Sequence, residues 1–327
     1  ERSDGRPISH YVDQRPDGAP AVELRRWQAL DLQLLAPVEY DACDDETDFS
    51  AVPWEQATAE REAIDNLVTG NRVRARLVVD EWRRLTVDPR QSRALVFCVS
   101  VAHAEFMTRW LNDAGLPSEC IVGTTDAQQR RSAPSRLASG ALCALVTVDL
   151  FNEGIDLPFV DTLLLLRPTQ SPVLFQQQIG RGLRLSTNKE SCLVLDFVGQ
   201  HRSGFRFDRL LSALTGLSRR ELIQGVDHGF GGLPPGCHIH LQRQTRDQVL
   251  RNLREIAKQS WRRLSVELQG YAALRGRSAV RLDEFVHDQP LNLTDIYRKA
   301  TATGRSGGTA LHRDAGLIAE EPGPAEA

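Results

Sequence analysis

Between Ala141 and Pro168 the chain reads ALCALVTVDLFNEGIDLPFVDTLLLLRP, and this stretch decides the fold. Two short apolar runs, Leu142–Val148 and Val160–Leu166, are bounded by polar residues and by Gly/Pro punctuation. Brief apolar runs without alternation mark strands buried on both faces, as in a parallel sheet. The loop between them, Asp149 to Asp156, holds three carboxylates and one glycine. Open α/β sheets place ligands beyond the carboxyl ends of their strands. There a carboxylate such as Asp156 suits a ribose hydroxyl, and Gly154 admits a close backbone.

Shortly beyond, Leu174 to Arg184 reads LFQQQIGRGLR, with Arg181 and Arg184 behind Gly180 and Gly182. If this stretch is helical, residues three apart share a face, so both guanidiniums reach one anion. The fixed donors of arginine match phosphate oxygens, and its charge survives at any working pH. Taken alone, the segment suits a basic, solvated helix equally well.

The two segments together resemble the superfamily-2 helicases, the DEAD/DEAH-like group of nucleic-acid-dependent ATPases. Thr147, Asp149, Gly154 and Asp156 are similar to the fifth motif of that family, and Gln177, Gly180, Arg181 and Arg184 to its sixth. Ala94–Val99, ending at Ser100, resembles the fourth motif. Cys120–Val122 followed by Gly123 and Arg130 resembles the next nucleic-acid contact region, and Cys192–Val198 supplies a closing strand. The resemblance is specific over about residues 90–200. It implies an α/β fold: a RecA-like parallel sheet flanked by helices, followed by a smaller, mainly helical region.

Carried over by motif position, Arg181 and Arg184 are the expected catalytic residues, acting as arginine fingers on the transferred phosphoryl group. Gly154, Asp156 and Gln177 join them in holding ATP with Mg²⁺. Ser100, Arg130 and Thr147 are the expected nucleic-acid contacts, and no metal ligand is expected in this chain. Gln177 stands where many RNA-acting relatives carry His, and EGIDLP looks more like DNA-acting enzymes, so DNA is favoured over RNA. The implied function is the C-terminal half of an ATP-dependent helicase or translocase. Alternatives are a nucleic-acid- or protein-binding module without ATPase activity, or the motor part of a restriction system.

No Gly-x-x-x-x-Gly-Lys-Ser/Thr phosphate loop and no Asp-Glu-Ala-Asp box occurs in the sequence, and Met107 is the only methionine. The expectation is a fragment that lacks the N-terminal ATP-binding lobe with its magnesium ligands, and that is inactive alone. That lobe is then an expected partner.

With 327 residues, 41% hydrophobic and 25% charged, the chain suits one large or two modest domains. A net charge of −3 gives no general signal for nucleic acid, so any such contact is local. Of forty Lys+Arg only Lys189, Lys258 and Lys299 are lysines. The six cysteines form no C-x-x-C pair, and buried reduced thiols are expected. His238 and His240 beside Cys237 hint at a metal, but further ligands are not evident. With no signal peptide and no long apolar run, a cytoplasmic protein without membrane contact is expected.

Residues 1–60 read as an acidic, irregular interlobe segment, and 61–200 as the RecA-like domain. Glu60–Leu85 is helical apart from an interruption at Gly70-Asn71. Residues 201–300 read as a basic, mainly helical extension. From His201 to Arg263 there are twelve Lys/Arg against five Asp/Glu, which suits a nucleic-acid path or a solvated arginine face equally. Residues 301–327, rich in Gly, Ser, Pro and Glu, are expected to be disordered.

Overall fold

The computed structural model describes residues 26–54, 57–148, 157–187, 189–202, 205–257, 261–274, 280–288, 293–302, 304–305 and 307–317. After α1 (Arg26–Asp31) come β1 (Val38–Asp48), α2 (Ala57–Val68), α3 (Arg72–Leu85), β2 (Ala94–Phe97), α4 (Val101–Asp113) and β3 (Ser118–Ile121). Then follow α5 (Ala127–Ser139), β4 (Ala144–Thr147), β5 (Thr162–Leu165), α6 (Pro172–Gly182) and β6 (Cys192–Gln200). The chain continues through α7 (Phe207–Thr215), α8 (Arg219–His228), β7 (His238–Leu241) and α9 (Arg243–Ala257). It closes with α10 (Trp261–Leu274), α11 (Leu282–Asp288), α12 (Leu293–Ala302) and α13 (Gly307–Asp314).

The described strands form one seven-stranded sheet in the order β3-β4-β2-β5-β6-β1-β7, with every pairing parallel. The expected α/β, RecA-like architecture is what forms. The two-residue period of a strand sends alternate side chains to opposite faces. Leu95, Phe97, Leu145, Leu163, Leu165 and Val194 therefore join one core, under α2 and α5 to α9. Ala94, Val96, Ala144, Val146, Leu164 and Leu195 join the other, under α3 and α4.

Local chemistry sets the helix ends. Asn71 caps α3 by accepting from the Arg74 N–H at 3.0 Å, and Gly70 adopts φ +80°, so the interruption at Gly70-Asn71 is a true break. Ser171 caps α6, whose first residue is Pro172, and Asp126 caps α5.

The acidic run before residue 50 is not a solvated, irregular face. It is β1, the longest strand, seated between β6 and β7. Its carboxylates have assigned partners. Asp45 takes Arg74 Nε at 2.6 Å with both side chains almost fully buried, and Arg74 also donates to the Leu166 carbonyl at 3.1 Å. Asp44 accepts from the Gln244 and Thr245 N–H groups and so caps α9 from a neighbouring strand.

The region after residue 200 is likewise partly integral to the sheet domain. It contributes β7, and Leu210, Leu214, Leu222, Val249 and Leu253 sit in the first core. Asp208, fully buried, is gripped by Arg206 (2.8 and 2.9 Å) and Arg219 (2.9 Å). Burial opposes its charge, yet the two guanidiniums hold its pKa below the ordinary carboxylate value. A further cation, Arg254, pairs with Asp227 at 2.7 Å. The local basic excess therefore overstates the free positive charge of this region.

Residues of α10 to α13 build a separate apolar cluster around Trp261, Leu268, Phe285, Ile296 and Leu311. Where composition suggested a disordered tail, α13 puts Ala310 and Leu311 into that cluster, and residues 318–327 lie outside the described part. No helix among the described residues is long and apolar enough to cross a membrane.

Replacing Asp208 by Ala leaves two guanidiniums without their shared partner. Urea unfolding is expected to show a loss of roughly 3–5 kcal/mol at pH 7. Because the Asp208 pKa is depressed on folding, the wild-type contribution is present above the ordinary carboxylate value. It fades as pH falls through the depressed one.

Candidate nucleotide and nucleic-acid site

The helix α6 crosses one face of the sheet, between β5 and β6, running against the strand direction. It starts at the carboxyl edge with Ser171 and ends at the amino edge, where β6 begins. Its three consecutive glutamines have three fates. Gln176 donates to the Ala213 carbonyl at 3.0 Å and ties α6 to α7, Gln177 is exposed, and Gln178 is buried. Val173, Gln177 and Arg181, spaced by four, form an outward stripe, with Val173 57% exposed.

The two glycines beside the arginines have different physical reasons. A methyl group at Gly182 would collide with the Cys192 sulfur and press on Leu163, so this glycine lets the helix end lie against β5 and β6. At Gly180 a methyl group would meet nothing within 4 Å. The space beside Arg181 is therefore open, as an approaching ligand or protein surface requires.

The helix ends earlier than a shared helical face for both arginines demands. Gly182 is its last residue and Leu183 its cap, so Arg184 projects from the exit and not from the helix proper. Arg181 and Arg184 are both half-buried, and both have interaction partners in the fold. The exit is pinned through its carbonyl oxygens. Leu183 O accepts from Ala36 N at 2.8 Å, Arg184 O accepts from Lys189 Nζ at 3.0 Å, and Gly182 O also accepts from Lys189 Nζ.

Beneath α6 lies a cavity of about 30 Å³ lined by Tyr40, Gln178 and Asp196, enough for a water molecule or two. The Tyr40 hydroxyl donates to Asp196 Oδ2 at 2.5 Å. Desolvation raises the Asp196 pKa to about 6, against the opposing pull of that hydrogen bond and of Arg74.

At the opposite, carboxyl edge stand the residues expected to touch nucleic acid. Ser100 is half-buried and caps α4, accepting from His103 N at 3.0 Å while donating to Asp65 at 2.5 Å. Thr147 is fully buried, because the alternation that places Ala144 and Val146 on one face turns Leu145 and Thr147 into the other. Its hydroxyl is enclosed there and has no hydrogen-bond partner among the described residues. The Arg130 guanidinium folds back on its own turn, donating to the carbonyls of Gly123 (2.6 Å), Thr125 (3.0 Å) and Val122 (3.4 Å). It builds the loop after β3; the residues exposed there are Gly123, Thr124 and Asp126.

Asp149, Gly154 and Asp156 lie outside the described residues. Of the remaining expected residues, the fold gathers Gln177, Gly180, Arg181 and Arg184 on and just beyond α6. It sets them across the sheet from Ser100, Thr147 and Arg130. Lys189, which no motif singles out and which is one of three lysines among forty basic residues, joins the Gly182 and Arg184 carbonyls to that of Pro158. Cys237 accepts from Val38 N at 3.5 Å and His240 faces Asp41 at 3.1 Å, which engages two of the three residues that hinted at a metal.

Two measurements test this geometry. Gly182→Ala should cost about 1–3 kcal/mol through overpacking, whereas Gly180→Ala should be neutral or stabilising by roughly 0.5–1 kcal/mol in chemical denaturation. A raised Asp196 pKa gives stability that is complete below the unfolded value of 3.8 and is lost as pH climbs through about 6. Asp196→Asn should flatten the stability profile over that window, and an unchanged slope would exclude Asp196 as its source.

Residues 78–186 match the family described as helicase conserved C-terminal domain. Over 204 residues the chain is 26% identical to "Putative ATP-dependent helicase IRC3" of Saccharomyces cerevisiae, covering 62% of this chain and 29% of that protein. It is 34% identical over 126 residues to "Putative mitochondrial ATP-dependent helicase irc3" of Schizosaccharomyces pombe (38% and 21% covered). Against "Type I restriction enzyme EcoKI endonuclease subunit" of Escherichia coli it is 33% identical over 127 residues (34% and 11% covered). The chain thus spans less than a third of the length of these relatives. Residues 78–186, which match the helicase conserved C-terminal domain, thus lie on a parallel sheet flanked by helices, with the sixth-motif segment on and just beyond α6.

Proposed function

We propose that this chain is the second lobe of an ATP-dependent DNA helicase or translocase, supplying arginine to a composite nucleotide site. The observation that carries the proposal is the end of α6, where Gln177 is exposed, Gly180 leaves open space, and Arg181 and Arg184 stand in succession. Paired guanidiniums beside an unfilled surface suit an anion held from the other side by a second protein lobe.

ATP with Mg²⁺, when bound, supplies the phosphoryl group, and the magnesium ligands belong to the facing lobe. Arg181 and Arg184 hold charge on the phosphoryl oxygens as it develops, an effect worth roughly 10³–10⁵ in rate for such fingers. Gln177 and Val173 meet the facing lobe. Asp156 accepts from the ribose hydroxyl, with Gly154 leaving room for the backbone. The carboxyl edge near Ser100 and Gly123 follows the nucleic-acid backbone, with Thr147 and Arg130 shaping the loops that do so.

DNA is favoured because Gln177 replaces the His of many RNA-acting relatives. A motor in a restriction system is the second reading, supported by the identity to the EcoKI subunit. A binding module without ATPase activity is the third.

ATP hydrolysis is to be measured with and without single- and double-stranded DNA and with RNA. The assay uses the chain alone and the full-length polypeptide that contains it. Expected are an inert isolated chain and DNA-stimulated turnover in the longer protein. In that protein, Arg181→Ala or Arg184→Ala is expected to lower kcat at least about 10³-fold. Full activity in both variants would falsify the arginine assignment. An inert longer protein that still binds DNA would leave the binding module.

A further inference from the structure

The exit of α6 is held in an unusual way. A helix leaves its last carbonyls without partners inside the helix, and ordinary ends satisfy them with water or a glycine cap. Here Ala36 N takes the Leu183 carbonyl, and the ammonium of Lys189 takes those of Gly182 and Arg184. The same ammonium reaches Pro158 O at 3.4 Å, just beyond the loop that carries Asp156. One nitrogen thus joins the backbone on which Arg184 stands to the segment leading out of the fifth-motif loop.

We infer that Lys189 is the positioning residue of the arginine pair, locking the exit of α6 and the end of the ribose-side loop into one unit. The inference rests on the reading of Arg181 and Arg184 given above. Its chemistry suits a lysine here, in a chain whose forty basic residues include only three lysines. An ammonium spreads three donors from a single nitrogen, so it can serve three carbonyls around it. A guanidinium presents its donors in one plane and suits flat, paired acceptors. Burial pushes the Lys189 pKa below the ordinary lysine value, so its charge is held at a cost that the main-chain dipoles offset.

Lys189→Met keeps the apolar stem and removes the donors. In the full-length protein it is expected to lower kcat by about 10- to 100-fold, the scale of an ångström-sized misplacement, with KM for ATP little changed. Lys189→Arg restores the charge but not the convergence, and should recover only part of the rate. The double variant Lys189→Met/Arg184→Ala should turn over within about twofold of Arg184→Ala alone, because a residue acting through Arg184 has nothing left to position. In the isolated chain, hydrogen exchange at the backbone amides of Leu183 to Ser186 should quicken in Lys189→Met while the central strands stay protected.

Wild-type kcat in Lys189→Met, with Arg184→Ala inactive, overturns this inference and leaves the arginine assignment intact. Full losses that multiply in the double variant overturn it too, since they make Lys189 a general stabiliser. If Arg184→Ala is fully active, the underlying reading fails instead. Should Lys189→Met not fold, Lys189→Gln, which keeps a neutral amide NH₂ but no charge, takes its place with the same expected order of rates.

Discussion

The parallel pairing of β1 with β6 is the interaction on which the rest of the structure depends. It runs from Val38 opposite Cys192 to Asp44 opposite Val198, and after an irregularity reaches Asp48 opposite Gln200. Through it Tyr40 meets Asp196, Asp45 meets Arg74, and Asp44 caps α9. The same strand offers its other side to β7, so the one strand contributed after residue 200 is attached through a segment far earlier in the chain. Just ahead of β1, Ala36 N donates to the Leu183 carbonyl and the Pro37 carbonyl accepts from Cys192 N. The exit of α6 is therefore indexed to β1 through Ala36 as well as to β6 through the Gly182–Cys192 contact.

The central strands were legible because β2, β4 and β5 are short, wholly buried and apolar, a pattern few other elements produce. Gly70-Asn71 was legible for a similar reason: a positive φ and a capping side chain are local demands. The first strand was not. Its sequence, VEYDACDDETD, is dominated by carboxylates, and no local rule says that Asp45 will meet an arginine on α3 or that Asp44 will meet a helix some two hundred residues later. Long-range partners convert an apparent solvated face into a buried framework. The same blindness made the region after residue 200 look freely basic, when Arg206 and Arg219 are committed to Asp208.

At the candidate site the sequence located the segments better than the side chains. Motif order placed Arg181 and Arg184 near an anion, but helix length decided that they leave α6 differently. Thr147 and Arg130 carry the right chemistry for phosphate, yet strand alternation buries one and a tight turn employs the other. Lys189 matches no motif spacing, and its role follows only from the three oxygens that surround it.

One consequence follows from α6 spanning the sheet. The arginine end and the strand-end loops after β2 and β3 lie at opposite borders of a plate packed on both faces, and such interiors are nearly incompressible. The distance between those borders is fixed by strand length, so neither can approach the other. A stress applied at one border is therefore transmitted to the other through the packed plate and is not absorbed within it.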